Sequence, residues 1–365
     1  MKKWLLLALL LPFFVGTAHA EGLNEQLGEE LQVRAVQEGL SGEAGEIGGE
    51  LRFDGSYDAQ GALARLWSSF RRSLTERLRA ETSTAMKLAA VSVLCALGLS
   101  LCPEKGVREY LEIACCCAAA LILSEGVGSM TEEAERALND LTDYAGLALP
   151  AVFSAAMACG AAVSASARYA AAGFALSVML AAGRGLILPL VNAVLALSVC
   201  CSIFDNPLLR ALVKLFKKLA ALLMTGLTAA FTALLSITGL VTGSADAAAV
   251  KTVKSVISAS LPVVGGVLSD AAASVLAAAG VVRNTAGAFG MIAVCAICAA
   301  PFAALAVKAL LLRLVSAAAE LAAGQRLSGL LRDMAAVMSL LLGLLGSYGL
   351  MLFFCFVSAI RTVTA

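Results

Sequence analysis

The chain contains a single histidine, His19, and it lies in the first twenty residues. Past that point no imidazole exists to ligate a metal or to act as a general base near neutral pH, which removes most hydrolase and metalloenzyme readings. Charge is scarce as well: 15% of the 365 residues are charged against 60% hydrophobic, and the mean hydropathy is +0.88. That balance excludes an ordinary globular chain of alternating core and surface. It sets the expectation of an all-α, polytopic integral membrane helix bundle. The net charge of +1 gives nucleic-acid binding no support. No G-x-x-x-x-G-K-[ST] phosphate loop, nucleophile elbow or H-E-x-x-H motif occurs, so no catalytic residue, cofactor site or metal site is assigned and the chain is expected not to be an enzyme. A serine nucleophile would need a lysine base. Lys308 is the nearest candidate, and it is expected to snorkel at the inner interface instead.

Eleven cysteines are present, all within or at the edge of apolar segments. They are expected to be small buried residues. Cys295 and Cys298 form C-x-x-C, but the run MIAVCAICAAPF offers neither the setting nor the solvent access of a redox pair.

Residues 1–20 carry Lys2 and Lys3, an apolar run and Ala18-His19-Ala20, the pattern of a cleaved signal peptide; an uncleaved anchor is the alternative. Residues 21–60 are rich in Gly and Glu and are expected to form a flexible extracytoplasmic lead-in. Between 61 and 85, Leu63, Leu66, Trp67, Phe70, Leu74 and Leu78 share one helical face and the arginines fall mostly elsewhere. This basic amphipathic helix suits a bilayer surface, a partner helix, or the protein's own membrane domain.

The membrane domain is expected over 86–365, with apolar segments at 86–102, 110–124, 144–165, 169–203, 219–241, 286–307 and 335–359. Since about 20 residues cross the hydrocarbon core, 169–203 is too long for one span. Gly183-Arg184-Gly185 and Pro189 in its middle suggest a hairpin turn, giving about eight crossings. Starting outside, the acidic stretch 125–143 then becomes an external loop, while Arg210–Lys218 and Lys308–Arg332 become internal, as the positive-inside rule asks. Gly343, Gly346 and Gly349 in the last span point to close helix packing or to docking of other membrane subunits.

One stretch, 250–284, is too polar at its ends for a simple span and carries a proline and paired glycines in its middle. Such a broken stretch is expected outside or re-entrant, packed on protein or lining a polar path. Its motifs are K-T-x-K at Lys251, Thr252 and Lys254, L-P-V-V-G with Pro262, Val263, Val264 and Gly265, S-D-A with Asp270, and R-N with Asn284, followed by Gly287. Together they resemble the stage III sporulation protein AE family of endospore-forming bacteria, and the likeness extends over most of the chain.

The resemblance implies a membrane subunit of a channel or secretion-like complex in the mother-cell membrane around the forespore, needed for late forespore gene expression. It implies as partners the other membrane proteins of the stage III sporulation A operon, their secretion-type ATPase, and an Oxa1/YidC-type insertase. The motif positions are carried over as conduit or partner-contact residues. The competing reading is a self-sufficient secondary transporter with its site at the broken helices, disfavoured by the want of a convincing acidic or histidine relay within the spans. An intramembrane enzyme is weakest, for want of a base.

Overall fold

The computed structural model describes residues 58–361 except 103, 161, 205, 261–264 and 323; the side chains of 238–273 and of a few single positions fall outside that description. The expected signal peptide and nearly all of the lead-in therefore lie outside the described residues. Those that are described are almost all helical, with no strand among them.

Asp58 starts α1 (Ala59–Leu101) by accepting a hydrogen bond from the Gly61 N–H at 2.8 Å. The basic amphipathic stretch and the first apolar segment are thus one helix. α2 (Lys105–Ala158) follows, and Gly160 with φ +89° terminates it in the left-handed conformation that favours glycine. α3 (Ala162–Ala182) leads through a π-helical turn, Gly183–Ile187, into α4 (Leu188–Phe204). α5 (Pro207–Ser260) opens on a proline, whose missing N–H costs nothing in a first turn. α6 (Gly265–Ala322) continues through Pro301, and α7 (Gln325–Arg361) is the last described element.

Among the described residues, six helices are long and apolar enough to cross a membrane: 60–101, 106–158, 162–204, 207–237, 274–321 and 325–361. They alternate in direction along the chain. The α1–α2, α4–α5 and α6–α7 connections gather at one end of the bundle, shown by Arg326 of α7 lying 2.8 Å from Glu109 of α2 and Lys217 of α5 lying 2.6 Å from Asp333 of α7. This is the basic end. α7 is central, packed against α2, α3, α4, α5 and α6, and it buries Leu344, Tyr348, Leu352 and Phe356.

Two expectations are corrected. The stretch 125–143 is not a loop: it is the middle of α2, whose 54 residues extend about 80 Å at about 1.5 Å per residue. The Gly183 to Pro189 stretch, with Arg184, is not a hairpin turn either. Pro189 has no N–H and its ring would press on the carbonyl four residues back, and the helix accommodates this by widening. The Leu188 N–H bonds Gly183 O, five residues back, and the chain stays helical. Each correction removes one crossing from the count. Removing two preserves parity, so both basic segments still share one end.

Candidate functional site

Lys308 of α6 is 3% exposed and does not snorkel. Its Nζ donates to Gly126 O of α2 at 2.7 Å and lies 3.6 Å from Glu81 Oε1 of α1. A Cβ at position 126 would fall 2.5 Å from that Nζ, so glycine there is what lets the ammonium reach the carbonyl. Nearby, Arg77 of α1 pairs with Glu133 of α2 at 2.8 Å. Four ionisable side chains thus tie α1, α2 and α6 together far from either end of those helices. The buried Lys308 ammonium persists only when its partners stay in place, since losing them strands the charge.

The same contacts fix which parts of the helices are level. Ala62 and Leu66 of α1 meet Ile292 and Ala296 of α6; Gly349 of α7 faces Cys298; Tyr348 hydrogen-bonds Thr142 of α2 at 3.0 Å; Arg168 of α3 donates to Ser358 O at 2.9 Å. Residues 62–81 of α1, 126–143 of α2, 168–183 of α3, 292–308 of α6 and 344–358 of α7 therefore lie at one level.

At that level the bundle has two unlike sides. α3 and α7 expose Phe174, Val178, Leu350 and Phe354. α1 exposes Arg65, Arg71, Arg72, Glu76 and Arg79, and α2 exposes Glu132, Glu135, Arg136, Asp140 and Asp143. The first side suits lipid except near Arg184, which is exposed in the π-helical turn at the edge of this level. On the second, each charge would cost about 2.5–3.5 kcal/mol at a bilayer centre on insertion scales. The apolar side of α1 is turned partly onto α6, where Leu63, Leu66, Trp67 and Phe70 border a groove of about 510 Å³ with Cys295, Cys298, Ala299 and Phe302. Packing on the protein's own membrane domain thus accounts for Ala62 and Leu66, while Trp67 stays 64% exposed.

A polar cavity of about 530 Å³ opens at the basic end, bordered by Arg210, Lys214, Lys217, Arg326, Arg332 and Asp333. Arg326 there reaches Glu112 at 3.6 Å besides Glu109, and Arg332 lies 3.9 Å from Glu320. Ser198 on the cavity wall is 1% exposed, and its Oγ has no hydrogen-bond partner among the described residues. At the opposite end, burial pushes the Cys159 thiol up, partly opposed by the charge of Arg283, so it stays protonated.

The motif positions fall mainly at that opposite end, along α5 and α6. Lys251, Thr252 and Lys254 lie on α5 and Asp270 on α6; their side chains are outside the described residues. Pro262, Val263 and Val264 lie outside them altogether, between the last residue of α5, Ser260, and the first of α6, Gly265. Asn284 is exposed and its Oδ1 accepts from Arg283 Nη2 at 3.0 Å. Gly287 is buried, and a Cβ there would fall 2.5 Å from Ile360 Cγ1 of α7. It is a helix contact point. Arg184 and Pro189 are exposed on the continuous α3–α4 helix.

Compared with known proteins, the family model described as stage III sporulation protein AE matches residues 55–363, nearly the whole chain. The chain belongs to the stage III sporulation protein AE family. No curated protein and no solved structure matches it. In this family member the sequence motifs and the mid-bundle charges occupy different places. Glu81, Glu133 and Gly126 carry no site signal in the sequence, because each lies in a stretch whose pattern reads as an amphipathic helix or an acidic loop. Only their common level with the apolar parts of α6 and α7 marks them. One signal was available: Lys308, a lone cation beside a long apolar run, requires a carboxylate or carbonyl partner if it is buried.

Proposed function

We propose that this stage III sporulation protein AE family member is a non-catalytic integral membrane subunit of a channel or secretion-like complex that links mother cell and forespore and is needed for late forespore gene expression. Family membership supports the sporulation role. The assembly role rests on the charged side of α1 and α2, level with the lipid-suited side of α3 and α7. A surface of that kind suits a partner or a polar path and not acyl chains. The protein sits in the mother-cell membrane facing the forespore, its basic end in the cytoplasm by the positive-inside rule, with the N-terminal region in the intermembrane space. Its partners are the companion membrane proteins of the stage III sporulation A operon and a secretion-type ATPase, and an Oxa1/YidC-type insertase places it.

The test replaces Gly265→Leu, Pro262→Ala and Asp270→Asn in turn, reads late forespore gene expression with the protein quantified in the membrane, and asks which companions co-purify in detergent. Loss of expression at normal protein level, most for Gly265→Leu, together with companion co-purification supports the reading. Absence of companions, with full expression from all three variants, overturns it.

A self-sufficient secondary transporter is the second reading. The Lys308–Glu81 pair favours it, because it supplies an acidic and basic couple among the spans that no sequence motif marks. Robust solute uptake by the chain alone in proteoliposomes, lost on Glu81→Gln, would put this reading first.

A further inference from the structure

The exposed charges at the common level are sorted by helix. Those on α1 are mostly basic, with Arg71, Arg72 and Arg79 outweighing Glu76; those on α2 are mostly acidic, with Glu132, Glu135, Asp140 and Asp143 outweighing Arg136. Within the chain, Arg77 turns inward to Glu133 and marks where the two helices are level. α1 and α2 run antiparallel with the same rise per residue. Counting from that pair, the stretch of α1 from Arg71 to Arg79 is level with residues 131–139 of α2, which hold Glu132 and Glu135 and end beside Asp140. A basic face and an acidic face thus stand at one height on neighbouring helices of the same molecule.

We propose that the chain self-associates about an axis parallel to its helices, with the basic face of α1 in one copy against the acidic face of α2 in the next. Rotation about such an axis leaves heights unchanged, so surfaces level within one copy are level between copies. A membrane requires the same axis, because every copy keeps the same sidedness in the bilayer. Contact removes both charged faces from lipid together and leaves the apolar side of α3 and α7 outward. Glu132 and Glu135 also border a groove of about 480 Å³ between α2 and α4, space for long arginine side chains to reach the carboxylates. This goes beyond the channel-subunit reading, since it concerns contact between copies and holds for a transporter equally.

The experiment expresses two differently tagged full-length copies together in membranes on a background without native cysteines. One carries Arg72→Cys and the other Asp140→Cys. Oxidation is expected to give a cross-linked species bearing both tags. Adding Arg71→Glu and Arg79→Glu to the first copy is expected to lower that yield about tenfold through like-charge repulsion. Adding Glu132→Lys and Glu135→Lys to the second copy as well is expected to restore it, which separates lost contact from lost folding. Absence of the doubly tagged species, cross-linking of either cysteine to a different protein instead, or a yield that ignores both charge reversals overturns the proposal. Companion co-purification is scored separately, so either idea can fail alone.

Discussion

Lys308 and Glu81 are 3.6 Å apart and hold α6 and α1 side by side, parallel, with the Gly126 carbonyl of α2 as the third member of the contact. Lys308 is buried and Glu81 half-buried, so the two halves are not independently replaceable. Lys308→Met leaves Glu81 without its cation and Glu81→Gln leaves the ammonium without its counter-charge; each is expected to destabilise by about 3–5 kcal/mol. The double replacement Glu81→Leu with Lys308→Met is expected to recover most of that loss. Thermal melting in detergent and protein level in the membrane check this, and equal damage from single and double variants would show that the two residues do not act as a pair.

Gly126→Ala tests the same junction from the α2 side. The added Cβ would fall 2.5 Å from the Lys308 Nζ, so the ammonium must shift away from the Gly126 carbonyl. A loss of about 1–3 kcal/mol is expected, the cost of a buried donor deprived of its acceptor. In the Glu81→Leu, Lys308→Met background the alanine is expected to cost little. Double-mutant melting measures the difference.

Gly287 and Gly290 of α6 lie against Ile360 and Phe356 of α7 so closely that a Cβ would fall 2.5 Å and 2.4 Å from those side chains. Gly287→Val is therefore expected to force α6 and α7 apart and to cost about 1–3 kcal/mol through overpacking. Ile360→Ala should relieve much of it. Protein level and melting of the pair of variants read the rescue; none would mean that backbone strain and not contact volume is limiting.

Impermeant thiol reagents distinguish the continuous α3–α4 helix from a hairpin. Single cysteines placed at 210 and 332 are expected to label from the same side, since both belong to the basic end. A cysteine at 184 is expected to resist labelling from either side of intact membranes, because residues 162–204 form one candidate span with Arg184 in its middle. Ready external labelling at 184 would restore the hairpin.

Much of the architecture is legible in the composition and in hydrophobic runs: helical class, membrane embedding, the amphipathic start of α1, and the two basic segments that meet at one end. What misled was punctuation. Gly183, Gly185 and Pro189 look like a turn, yet a π-helical turn absorbs the missing N–H of Pro189 without reversing the chain. The acidic run 131–143 looks like a loop because charges are read against a lipid background. It is helical because Ala134, Ala137, Leu138 and Leu141 recur at helical spacing and bury one face against the bundle.

The sequence by itself determined the kind of protein and its family, because mean hydropathy, span length and the K-T-x-K, L-P-V-V-G and S-D-A motifs are local properties that survive without any knowledge of packing. Only the tertiary structure decided which charges share a level and which share a side. Glu81, Gly126 and Lys308 are far apart along the chain, and their meeting depends on how three helices are staggered, a quantity set by glycine contacts and ion pairs between helices and by no pattern within one.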